Sequence, residues 1–251
     1  MKKWLIAAIL TAVCCVSGCG SKGGNSEDST PDVGEMMGYT KIVTPYMVGD
    51  FAVLSFTDTE KSLTIDMTGN RYLKGLLADV NYYLPKDEVS VDTAEAKYVI
   101  SMQGVDVNVG FDGENSNVCF SFADGSTQWS VVLQDEFSYL DTVIASEIVS
   151  IDGYTPAHNI RVHNADNVGG AVKDKAAFLE SLQGLRFVKL NNLSHYDLGE
   201  KTHTVKLGDD EMSIYSKYVV YKGELYFTYQ GDFAFLKNVE LESSSGWLPW
   251  L

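Results

Sequence analysis

Val118-Cys-Phe-Ser-Phe-Ala-Asp-Gly-Ser-Thr-Gln-Trp-Ser-Val-Val-Leu133 is the stretch whose reading decides the fold class. Two apolar-rich runs, Val118–Phe122 and Gln128–Leu133, flank Asp124-Gly125. Successive side chains of a strand point to opposite faces, so Val118, Phe120 and Phe122 share one face, and Cys119, Ser121 and Ala123 the other. Asp-Gly accommodates the positive φ angles that a tight β-turn requires, so the spacing predicts an antiparallel hairpin. A face of small residues suits contact with another layer or a partner.

Working outward, most of the chain reads as strand. Phe51–Phe56, Leu63–Met67, Lys97–Met102 and Val105–Phe111 carry apolar β-patterns before the hairpin. One exception lies between them. In Arg71–Tyr83, Leu73, Leu76, Leu77 and Val80 recur at i, i+3, i+4 and i+7, one face of an amphipathic helix, with Asn70 as N-cap and Pro85 beyond its end. Phe137–Val143 closes this unit.

The same order follows once more. Glu147–Ile151 and Asn159–His163 read as an opening strand pair, and Lys173–Leu185 as a helix with Phe178, Leu182 and Leu185 on one face. Thr202–Leu207, Glu211–Ser216 and a hairpin of Tyr218–Tyr221 with Leu225–Tyr229 come next, and Phe233–Val239 ends the unit. Phe137, Tyr139, Leu140 and Val143 align with Phe233, Phe235, Leu236 and Val239, and the same offset takes Val53 to Val149; Ile65 aligns with Val162 one residue further on. The expected fold is therefore α+β, mainly antiparallel β with two helices, as two tandem ββαββββ units over 38–145 and 146–251. The layout is similar to the tandem helix-plus-four-strand repeat of the β-lactamase-inhibitor-protein type. That likeness implies a broad binding surface across two sheets. A true repeat also implies that residues 38–145 fold alone.

The N-terminus carries the clearest signal. Lys2 and Lys3 precede an apolar run from Trp4 to Val16, the length of a signal-peptide core and too short to span a bilayer. Val16-Ser-Gly-Cys19 resembles the lipobox of bacterial lipoproteins. The resemblance implies cleavage after residue 18, diacylation of Cys19 and attachment to the extracytoplasmic side of a cell membrane. Residues 19–37, rich in Gly, Ser, Asp and Glu, then read as a disordered tether.

Charge and composition narrow the function. Removing Lys2 and Lys3 with the signal leaves 17 basic against 34 acidic residues, a formal charge of −17. Such a body repels nucleic acid and anionic headgroups. With Cys19 acylated, Cys119 is left in a strand-like stretch, where a buried thiol is expected.

Catalytic signatures are missing. The chain contains no G-x-S-x-G, H-E-x-x-H, C-x-x-C or glycine-rich phosphate loop. His158 and His163 are five residues apart on opposite faces of a regular strand, so a metal site would need Asp152 or Asp166 from adjacent loops; His195 and His203 stand elsewhere. Asp112–Asn117 alternates oxygen ligands but lacks the central Gly and closing Glu of a calcium loop. No enzyme, metal or cofactor is expected.

The tyrosines are the remaining feature. Tyr215, Tyr218, Tyr221, Tyr226 and Tyr229 crowd the second hairpin, with alternate rings on opposite faces, and Trp247 and Trp250 end the chain. Exposed tyrosines suit interfaces, although ordinary sheets carry them too. The two tryptophans either dock onto the core or anchor a partner. These observations point to a non-enzymatic envelope module binding a protein or wall polymer. The alternative is a lipoprotein that captures a small solute for uptake.

Overall fold

In the computed structural model, residues 32–42, 52–86, 95–112 and 115–242 are described. The expected signal segment, Cys19, most of the expected tether and both Trp247 and Trp250 lie outside them. The β-rich α+β class is as the sequence implies. A short helix, α1 (Val33–Met36), comes first, followed by β1 (Lys41–Ile42), β2 (Val53–Asp58), β3 (Leu63–Asp66) and helix α2 (Arg71–Asp79). Then come β4 (Tyr82–Tyr83), β5 (Tyr98–Met102), β6 (Val105–Asp112), β7 (Asn115–Phe122) and β8 (Thr127–Leu133). Helix α3 (Leu140–Val143) leads into β9 (Ile144–Val149), β10 (Ile160–Asn164), β11 (Gly169–Ala171) and helix α4 (Lys175–Gln183). The chain continues through β12 (Arg186–Leu190), β13 (His203–Leu207), β14 (Asp210–Tyr215), β15 (Tyr218–Tyr221) and β16 (Glu224–Gln230).

Local chemistry sets the element ends. Asn70 accepts from Leu73 N at 2.7 Å to cap α2, and Asp174 accepts from Ala177 N at 3.0 Å to cap α4. The β7–β8 turn uses Gly125 at φ +83°, with Asp124 accepting from Ser126 N; the β15–β16 turn uses Lys222 and Gly223, both at positive φ. Val33–Met36, inside the stretch expected to be a disordered tether, is helical. Gly34 lets this turn lie on Tyr83: a Cβ there would sit 2.2 Å from the ring.

Among the described residues, sixteen strands form two antiparallel sheets of eight. The first runs β1-β4-β8-β7-β6-β5-β2-β3 and the second β9-β12-β16-β15-β14-β13-β10-β11. Counted from its own first strand, each sheet has the order 1-4-8-7-6-5-2-3, with its nine-residue helix between the third and fourth strands.

The strand inventory differs from the ββαββββ expectation. Each half has one more strand before its opening pair and one more directly after its helix. Glu147–Ile151 is not part of an opening pair: β9 lies on the far edge, beside β12. The opening pair of the second half is β10 with β11, so Val149 does not correspond to Val53, nor Val162 to Ile65. The two N-caps, Asn70 and Asp174, stand 104 residues apart, whereas β8 and β16 begin 97 apart. Shorter strands and a tighter turn in the second hairpin account for the change. A single offset therefore does not relate the two strand orders.

Burial is continuous across the two halves, and Gly34–Leu251 forms one compact unit. One face of the second sheet packs on α4 through Phe187, Val205, Met212, Ile214 and Val219 against Phe178, Leu179 and Leu182. From its other face, Val188, Leu190, Tyr218, Leu225 and Phe227 join the core built by the first sheet and α2. Polar contacts reinforce this seam. Tyr218 donates to Asp66 O at 2.8 Å, and Asp197 N to Gly69 O at 2.7 Å. Arg71 bridges to Asp197, Tyr72 stacks on His195 at 4.2 Å, and His195 Nδ1 hydrogen-bonds the Tyr139 hydroxyl at 3.1 Å. A shared core of this kind makes independent folding of 38–145 an unfavourable arrangement, since isolation would expose the seam to water.

Lys217 Nζ bridges Asp66 across the seam at 2.6 Å. Partial burial raises the Asp66 carboxyl, but the Lys217 and Thr68 donors outweigh it and hold the pKa below the ordinary 3.8. A depressed folded value contributes stability that is present above 3.8 and lost as pH falls through the folded pKa. Asp66→Asn is accordingly expected to destabilise the protein at neutral pH and to flatten the acid limb of its stability profile. Urea unfolding at a series of pH values checks this; an acid limb as steep as the wild type's would contradict it.

Candidate functional site

Helix α4 turns a second stripe toward the surface, with the core residue Leu179 along it. Ala176, Leu179, Glu180 and Gln183 recur at i, i+3, i+4 and i+7, and Gly184 follows at the C-cap. Leu179 is buried, whereas Ala176, Glu180 and Gly184 are exposed. Facing this stripe is the loop Tyr154-Thr155-Pro156, and between them lies an open cleft of about 450 Å³. Its lining combines the apolar groups of Tyr154, Pro156, Ala176 and Leu179 with a carboxylate, a side-chain amide and a hydroxyl.

The loop is fixed at several points. The Tyr154 hydroxyl hydrogen-bonds both the Asp210 carboxylate and the Tyr221 hydroxyl, while Lys222 bridges Asp210 at 3.0 Å. Burial, then the bond to Asp210, raises the Tyr154 pKa far above the ordinary phenol. The bonds from Tyr154 and Lys222 lower that of Asp210. Thr155 N donates to His158 Nδ1 at 3.0 Å, and the His158 ring meets Tyr154 edge-on at 5.6 Å. Lys175 Nζ donates to His158 O at 3.1 Å, tying the loop to the start of α4. Gly208 N holds the next residue through Asn159 O at 2.8 Å. A loop held this way presents its aromatic ring without an ordering cost on binding.

The tyrosines singled out in the sequence do not converge on this cleft. Tyr218 and Tyr221 are buried, one toward the seam and one toward the α4 side, while Tyr215 and Tyr226 are half-buried. Tyr229 is exposed. Among the five, exposure is confined to Tyr229, because packing on both faces of the second sheet covers the others wholly or in part. Tyr221 does contribute indirectly, by holding Tyr154.

The histidines are dispersed. His158 belongs to the pinned loop and His163 to β10; His195 sits in the seam, and burial lowers the pKa of His203 in β13. Among the described residues, no group of three or more His, Cys, Asp or Glu side chains could hold a metal ion. Cys119 is buried with Ala96, Val99 and Trp129, and its thiol is raised by burial. Among the described residues no helix is long and apolar enough to cross a membrane.

Sequence reading missed Tyr154, Glu180 and Gln183. The apolar face of α4, Phe178, Leu182 and Leu185, was visible, but its outer stripe is polar and the loop upstream gives no sign of folding over it. The chain matches no protein-family model, no curated protein and no solved structure.

Proposed function

We propose that this chain is a lipid-anchored protein of the bacterial cell envelope, held to its membrane by diacylated Cys19, whose acidic body binds an envelope component without transforming it. The observation that carries the reading is the N-terminal series: Lys2-Lys3, an apolar run of signal-core length, and Val16-Ser-Gly-Cys19. Two or three acyl chains give stable attachment, at roughly 0.8 kcal/mol per buried CH₂. A polar tether then lets the body work within a few nanometres of the lipid, by random-coil scaling.

The body supports binding over catalysis. Its cleft is lined by one aromatic ring, one carboxylate, one amide and the Thr155 hydroxyl; that hydroxyl lies 3.2 Å from His158 Nδ1, but the same nitrogen already accepts from Thr155 N at 3.0 Å. The cleft lies within the second half, between a loop and a helix. That position favours seizing part of a larger molecule over enclosing a free solute between lobes. We also read the two halves as copies of one ancestral unit, anchored by the tether at 19–37 and divided near residue 145. Their common strand order and equally placed, similarly capped helices support this reading.

Cys19→Ala is expected to move the protein from the membrane pellet to the soluble fraction. Retention of the variant in the pellet, at wild-type level, would sink the anchoring claim. Co-sedimentation of the purified Cys19→Ala chain with isolated envelope polymer checks the binding claim, and recovery of all of it in the supernatant would count against it.

A further inference from the structure

We propose that the cleft between Tyr154 and α4 is a glycan subsite, taking one pyranose ring of an uncharged oligosaccharide; this rests on the reading of the chain as an envelope-binding module. A pyranose presents apolar C–H faces and a rim of hydroxyls. The cleft offers the complementary set: Tyr154 and Pro156 supply apolar surface over the buried Leu179, and Glu180 and Gln183 line the same cleft as hydroxyl partners. A carboxylate accepts from two hydroxyls, and an amide both donates and accepts, so the pair can read vicinal groups.

Size and rigidity agree with this assignment. A volume of about 450 Å³ falls in the range of small-ligand sites. Ala176 and Gly184 keep the space open, since a long side chain at either position would fill it. The Tyr154 hydroxyl is already engaged with Asp210 and Tyr221, so the residue offers its ring rather than its oxygen.

Other ligand chemistries fit less well. A wholly apolar ligand would strip water from Glu180 and Gln183 with nothing in return. An anion meets Glu180 on a body of formal charge −17. A cation would seek the carbonyls at the C-terminal end of α4, but Arg186 already donates to Gln183 O at 2.7 Å and Leu185 O at 2.9 Å.

The test titrates the full Cys19→Ala chain with three uncharged tetrasaccharides by calorimetry: β-1,4-linked N-acetylglucosamine, β-1,4-linked glucose and α-1,4-linked glucose. At least one is expected to bind with Kd below about 10 mM, the weak affinity of a single-ring site. Ala176→Phe, a change at an exposed helix position that fills the cleft, is expected to weaken that binding at least about tenfold. Glu180→Ala removes only an exposed carboxylate and is expected to weaken it at least about fivefold, which keeps the test decisive if the bulkier variant folds poorly. Absence of binding by all three sugars, or wild-type affinity in the folded variants, overturns the subsite. Envelope co-sedimentation that survives Ala176→Phe in a chain blind to all three sugars also overturns it, yet leaves the binding-module reading standing. Sugar binding by a wild-type chain that never fractionates with membranes supports the subsite and removes the anchor.

Discussion

Tyr218→Ala is expected to cost about 3–5 kcal/mol of unfolding free energy, the range for truncating a large buried aromatic. Tyr218 is only 7% exposed, although it stands on a strand face that points away from the second half's own helix. Its ring meets Tyr196 at 5.7 Å and Phe227 at 6.0 Å, both in edge-on geometry. Its hydroxyl reaches across to Asp66 O. Truncation opens a cavity at the seam and leaves that carbonyl without its cross-half donor. Tyr218→Phe separates the two effects: it keeps the ring, and a loss of about 1 kcal/mol is expected for the hydroxyl alone. Urea denaturation of both variants measures the difference. A loss below about 1 kcal/mol for the alanine variant would mean that the seam lies outside the cooperative core.

The fate of Tyr218 also explains what could be read from the sequence. Elements marked by turn residues, caps or strong local periodicity were legible. The hairpins of β7–β8 and β15–β16, and both capped helices, follow from alternation, turn residues and 3.6-residue spacing. β12 was not legible, because Phe187 points to the α4 core while Val188 and Leu190 join the seam. Apolar residues on both faces erase the alternation. β11 carries almost no β signal, being Gly-Gly-Ala, and is a strand for a backbone reason: a Cβ at Gly169 would lie 1.9 Å from Val162 O. β4 is too short to show a period. These omitted strands lie beside the expected ones, so the α+β class was right while the sheets were under-counted.

Binding residues were legible to a smaller extent. Counting tyrosines on the second hairpin located a dense aromatic region, but density on a strand does not report burial. The seam uses Tyr218, the α4-side core uses Tyr221, and Tyr229 is exposed. The cleft depends on Tyr154, which precedes β10 in an irregular loop. Its placement comes from long-range partners, Asp210 and Tyr221, 56 and 67 residues away. No periodicity encodes such contacts.

Gly69→Ala is expected to destabilise by about 1–3 kcal/mol or more, as overpacking does in a site that cannot yield. Gly69 lies between β3 and α2, where the first half meets the segment that follows the 3-10 turn Leu193–His195. A Cβ on it would stand 2.4 Å from Asp197 O, a backbone atom with no rotamer to retreat into. Moving Asp197 would in turn stretch its N–H bond to Gly69 O and disturb the Asn70–Tyr196 bridge and the Arg71–Asp197 pair. Gly75, six residues further on, is the internal control. It lies inside α2, and an added Cβ there meets no atom within 4 Å. Gly75→Ala removes unfolded-chain entropy and raises helix propensity, so it is expected to stabilise by about 0.5–1 kcal/mol. The same chemical change should therefore move the urea midpoint in opposite directions at two nearby glycines. If both variants shift it the same way, the close approach of the two halves at Gly69 is not a constraint on this fold.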